Sequence, residues 1–82
     1  MTNEELLSAL SELVGDILDQ PDLRLTREMT AGDVPDWDSV NHVNIVVATE
    51  MRFGVKFRTA ELDEIHDVGS FVDLIAGKLS KT

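Results

Sequence analysis

Asp38 and Ser39 are the residues whose types and setting suggest chemistry: a serine hydroxyl standing where a helix should begin. The first amides of a helix, and its dipole, favour a negative group, so a phosphodiester on Ser39 would be stabilised rather than strained. Taken alone, an Asp-Ser pair at such a point is a weak signal and reads first as a helix cap. Other chemistry finds no support. The chain has no Gly-rich phosphate loop, no His-Glu-x-x-His, no Gly-x-Ser-x-Gly elbow and no cysteine. Asp33, Asp36 and Asp38 invite a calcium-loop reading. Counted from Asp36, however, Asn41 stands where that loop requires glycine and Val47 where it requires glutamate. His42 and His66 are the only histidines, too few for a histidine-based catalytic metal site, and are read as surface or boundary residues. Ser39 and His42, three residues apart on one helix, do not make a catalytic triad. No metal site and no catalytic residue is expected.

Composition sets the frame for these residues. Eighty-two residues, 43% of them apolar, suffice for one domain over 1–82 with one modest core. A core of that size leaves little room for a buried catalytic constellation, so a module serving other proteins is expected rather than an enzyme. Sixteen acidic against seven basic residues give a formal net charge of −9. Such a field repels nucleic acid and anionic membranes and steers toward partners with basic patches. The N-terminal residues lack the basic start and apolar stretch of a signal peptide, and the longest apolar runs, such as Ile45 to Ala48, are four residues. A soluble cytoplasmic monomer without membrane insertion is expected.

The elements that must position Ser39 follow from periodicity. Thr2 and Glu5 have capping-box spacing. Leu6, Leu7, Leu10, Leu13, Val14, Ile17 and Leu18 then form one helical stripe, which Gln20-Pro21-Asp22 ends. Residues 20–38 form a long connection with turn chemistry at Pro21-Asp22, Ala31-Gly32-Asp33 and Val34-Pro35-Asp36. Within it Leu23, Leu25, Met29, Val34 and Trp37 are spaced to tuck onto a core. A second helix should start at Asp38 or Ser39, run to about Arg52 and stop at Gly54. Thr59 is the expected cap of a short third helix reaching about Glu64. Asp67 caps a fourth, with Val68, Phe71, Val72, Leu74, Ile75 and Leu79 as its core stripe. The fold class is all-α: a small four-helix bundle, three helices long and the third short.

The second helix carries more apolar surface than one core face needs. Val43, Val46 and Phe53, with Ile45 beside them, can supply the buried stripe. Val40, Val47 and Met51 fall on a second stripe, which either packs beneath the 20–38 connection or is exposed as a partner or ligand surface.

Trp37-Asp38-Ser39-Val40, followed by Val43, Ile45, Glu50, Phe53 and Gly54, then Glu61, Ile65, Val68 and the last apolar helix, resembles the acyl carrier protein family over nearly the whole chain. The family's Asp-Ser-Leu reads here Asp38-Ser39-Val40. The resemblance implies that Ser39 bears a covalent 4'-phosphopantetheine arm, installed from coenzyme A by a phosphopantetheinyl transferase. Acyl groups would be held on that arm as thioesters in fatty-acid, polyketide or related lipid and polysaccharide biosynthesis. It further implies a surface, made of Asp38, Val40, Asn41, Asn44, Val47, Glu50, Met51 and Glu61, read by acyl-transferring or synthase enzymes with basic or apolar patches. Asn41, Asn44 and Met51 stand at commonly acidic family positions, and Thr49 replaces a usual core leucine, so the chain looks more like a specialised carrier than the housekeeping one. Two alternatives stay open at this point: an aminoacyl carrier, and a non-carrier interaction domain using the Val40/Val47/Met51 face.

Overall fold

The computed structural model describes residues 2–80. Among them four helices and no strand form: α1 (Asn3–Leu18), α2 (Ser39–Phe53), α3 (Thr59–Leu62) and α4 (Val68–Leu79). One 3-10 turn, Ala31–Asp33, interrupts the connection between α1 and α2 at the expected Ala-Gly-Asp turn. The outermost residues of the expected 1–82 domain lie outside the described residues.

α1 starts as its sequence dictates. The Thr2 hydroxyl accepts the Glu5 N–H at 3.1 Å, and the Glu5 carboxylate accepts the Thr2 N–H at 2.9 Å, which holds the Glu5 carboxyl below the usual carboxylate range. Leu6, Leu10, Leu13, Val14 and Leu18 are buried, and α1 packs on both α2 and α4. Phe71, Val68, Val72 and Ile75 come in from α4 and Ile45 from α2. Full burial of each such side chain is worth about 1.5–3 kcal/mol. Leu74 and Leu79 of the expected α4 stripe are only half-buried.

The helix ends in a tight reversal. Asp19 adopts the left-handed conformation (φ 57°), and the Gln20 N–H returns to the Gly15 carbonyl at 2.7 Å. The reversal lays the Gln20 carbonyl on Gly15, where an added Cβ would stand 2.7 Å from that oxygen. Only a hydrogen side chain leaves room for the chain to turn there.

The 20–38 connection is fastened along its length. Leu25 and Val34 are buried, with Leu23, Met29 and Trp37 packed against the core. The buried Ser11 hydroxyl donates to the Leu7 carbonyl at 2.9 Å and accepts the Leu25 N–H at 3.0 Å, joining connection to helix. At the far side the first amides of α4 donate outward: Val68 N–H to the Met29 carbonyl at 2.8 Å and Gly69 N–H to the Arg27 carbonyl at 2.9 Å. Two helix-terminal donors that would otherwise lack partners are satisfied by loop carbonyls.

Two expectations need correction. α3 is capped at Arg58, not Thr59, because the Glu61 carboxylate reaches back to the Arg58 N–H at 2.8 Å and so sets the helix start one residue earlier than a threonine cap would. The element ends at Leu62, and residues up to Ile65 continue only as turns. Val43, placed with the core stripe of α2, is 60% exposed. At 3.6 residues per turn it stands at i+3 from Val40 and i−4 from Val47, on their side of the helix; the buried side is Ile45, Val46 and Thr49.

Gly15→Ala should lower stability by about 1–3 kcal/mol, the range for forced overpacking, read as a lower thermal midpoint with helicity retained. A midpoint equal to the wild type would contradict the close approach of the Gln20 carbonyl.

Candidate functional site

The approach to Ser39 is a short strained loop. Asp36 takes a left-handed conformation (φ 69°), tolerated by aspartate better than by most residues. Its carbonyl accepts two bonds, from the Asp38 N–H at 3.0 Å and from the Asn41 side-chain amide at 2.8 Å. One residue back, the Gln20 side-chain amide donates to the Pro35 carbonyl at 2.6 Å, tying this loop to the end of α1. The chain therefore enters α2 in one register.

Asp38, not Ser39, caps the helix. Its backbone is extended, and its carboxylate accepts the Asn41 N–H at 2.8 Å. Ser39 is the first helical residue. It is exposed, and its hydroxyl has no hydrogen-bond partner among the described residues. An open groove beside it is lined by Ala31, Trp37, Asp38, Ser39 and His42. The Trp37 indole N–H donates to Nδ1 of His42 at 3.1 Å, and the two rings lie 6.2 Å apart at an interplanar angle of 27°. The sequence carried a signal for this pairing, two aromatic rings five residues apart across a helix start, but residue spacing alone does not orient the imidazole.

The residues proposed as a partner surface separate into two groups. Val40 (71% exposed), Val47 (47%) and Met51 (81%) stand out from α2, joined by Val43. The 20–38 connection does not cover them. Asn44 is exposed beside them, its amide donating weakly to the Asn41 side-chain oxygen at 3.4 Å. The second group is half-buried and engaged within the chain. Asn41 holds the Asp36 carbonyl. The Glu50 carboxylate accepts the Phe57 N–H at 2.9 Å. The Glu61 carboxylate pairs with the Lys78 ammonium at 2.8 Å, and the Lys78 and Arg58 hydrogen bonds keep its carboxyl below the usual range. Lys78 also sits 5.7 Å from the centre of the Phe57 ring, which packs on Phe71. Thr49 takes the middle of the buried face of α2, its hydroxyl donating to the Ile45 carbonyl at 2.7 Å.

Against this geometry, similarity to known proteins is informative. No protein-family model matches the chain. The acyl carrier protein of Acidothermus cellulolyticus is 34% identical over 76 residues, covering 93% of this chain and 90% of the relative. The chain belongs to the acyl carrier protein family. The carrier of Thermotoga maritima is 32% identical over 78 residues (95% and 96%), and the meromycolate extension acyl carrier protein of Mycolicibacterium smegmatis 32% over 74 residues (90% and 75%). The solution structure of the holo acyl carrier protein of Geobacter metallireducens superposes with a TM-score of 0.87 at 36% identity, covering 93% of this chain and 87% of that one. The all-helical fold expected from periodicity is the acyl carrier fold, and the carrier reading is favoured over the aminoacyl and interaction-domain alternatives.

Because Asp38 rather than Ser39 supplies the cap, Asp38→Ala should cost about 1 kcal/mol of stability. Ser39→Ala should stay within about 0.5 kcal/mol of the wild type. Denaturant titrations of both variants check this; equal losses would make Ser39 a structural residue.

Proposed function

We propose that Ser39 is the residue to which 4'-phosphopantetheine is joined, that a phosphopantetheinyl transferase installs it from coenzyme A, and that the protein then presents acyl groups to partner enzymes without catalysing a reaction itself. The observation that carries this reading is the state of the Ser39 hydroxyl: exposed, free of hydrogen bonds among the described residues, and first in α2 behind a cap supplied by its neighbour. A modifying enzyme needs to reach that oxygen without undoing the fold, and Asp38 and Asn41 hold the helix start whether or not the serine is esterified. The groove beside Ser39 gives the root of an arm a place to lie. The arm supplies the thiol that holds the acyl group as a thioester. The net charge of −9 suits a soluble cytoplasmic monomer, and no helix among the described residues is long and apolar enough to cross a membrane.

The surface read by partners is, on this reading, centred on Val40, Val43, Val47 and Met51, with Asn41 and Asn44 at its border. Glu50 and Glu61 take a smaller part, since each is already hydrogen-bonded inside the chain. Fatty-acid and related lipid biosynthesis is the setting that the carrier family implies.

Incubation with coenzyme A and a broad-specificity transferase should add one phosphopantetheine by intact mass, and Ser39→Ala should abolish the addition. A folded wild-type chain left unmodified by several transferases would overturn the assignment. Met51→Glu should raise the KM for arm transfer about tenfold, about 1.4 kcal/mol of binding, with its melting midpoint unchanged. An unchanged KM would remove Met51 from the docking surface, at least for that enzyme.

A further inference from the structure

We infer that His42 is a positioning residue for the arm, its Nε2–H donating a hydrogen bond to the phosphodiester on Ser39; the inference rests on the reading of Ser39 given above. An indole N–H can only donate, so Nδ1 of His42, which receives it at 3.1 Å, carries no proton. The ring proton is therefore on Nε2. Nε2 has no hydrogen-bond partner among the described residues, although the ring is half-buried. Trp37 thus sets both the tautomer and the plane of the imidazole, leaving one oriented donor uncommitted.

The ring that carries this donor is a neighbour of Ser39, although it also borders a second cavity lined by Ile65, His66 and Asp67. The two residues are three apart on α2, neighbours across one turn, and both line the same groove. Beyond the first main-chain amides of α2, the surroundings offer a phosphodiester few side-chain donors. From Glu28 to Met51 the sequence contains no Lys or Arg, while Asp33, Asp36 and Asp38 crowd the approach. Of the other side-chain N–H groups nearby, the indole is spent on His42, and the Asn41 and Asn44 amides, each with one N–H bonded within the chain, do not line the groove. In the groove itself the remaining side-chain donors are the Ser39 hydroxyl, consumed when it is esterified, and His42. A hydrogen bond to a charged acceptor is about twice as strong as a neutral one, so a single fixed donor is enough to favour one path of the arm out of Ser39.

The test compares the apo and arm-bearing proteins, with loading verified by intact mass, using imidazole 15N–1H spectra and the 31P resonance. The apo protein should show His42 as the Nε2–H tautomer. Arm attachment should displace the His42 ring signals and leave those of His66 in place. The 31P resonance should move in His42→Leu and return toward the wild-type position in His42→Gln, which keeps a side-chain N–H donor. Thermal midpoints confirm that both variants are folded. If the arm is added but the His42 signals ignore it, or the 31P resonance is the same in wild type and His42→Leu, the inference fails while the Ser39 assignment stands. If folded wild-type protein takes up no arm, both fail.

Discussion

The fastening of the 20–38 connection is the constraint on which the rest of this molecule depends. A chain of 82 residues without cysteine has no disulfide to hold a long loop in place. It must do so with apolar plugs and with polar groups borrowed from the helices. Leu25 and Val34 are the plugs, the Ser11 hydroxyl holds one side, and the first two amides of α4 hold the other. Buried main-chain groups must find partners, and here loop and helices satisfy one another. The loop ends at the two bonds on the Asp36 carbonyl, so its placement becomes the placement of Ser39.

Downstream of that point α2 has two unlike faces. Three consecutive β-branched residues, Ile45-Val46-Val47, make it a poor helix by propensity. It forms because Ile45, Val46 and Thr49 are buried against the bundle and because Asp38 and Gly54 terminate it cleanly, the glycine in a left-handed conformation at φ 68°. Thr49 resolves its own polarity by bonding back to the Ile45 carbonyl, leaving no unpartnered buried side-chain polar atom among the described residues. The other face keeps its valines and a methionine in water, which the packing of the bundle gives no internal reason to do.

Much of this was legible in the sequence, and apart from the start of α3, where Glu61 reaches back to Arg58 instead of Thr59 serving as the cap, the misses come from what local pattern cannot show. The caps at Thr2, Asp38 and Asp67 and the stop at Gly54 are local signals in which a side chain bonds to amides a few residues away, so residue type and spacing suffice. The α1 stripe was equally readable, because Leu6 to Leu18 has a single apolar face. α2 has apolar residues nearly all round, and a periodic pattern cannot say which side faces inward; Val43 reads as core for that reason, and polar Thr49 hides the centre of the buried face. The fastening bonds from Ser11, Val68 and Gly69 join residues far apart in sequence and left no local trace. Ser39 was legible as a candidate, but the exposure of its hydroxyl and the aim of the His42 ring depend on the fold.

The engagement of Glu50 and Glu61 with the chain's own amides and with Lys78 bears on how a cell keeps parallel pathways separate. Discrimination between carriers is a difference in affinity across all the enzymes they meet. On the proposed reading, a surface in which Glu50 of α2 holds a main-chain amide and Glu61 of α3 pairs with Lys78, and whose crest is aliphatic, would offer less to an enzyme that selects its carrier with a lysine and arginine patch. Two carriers of one fold can then share a compartment without trading intermediates, insulated by which of their ionic groups are spent at home.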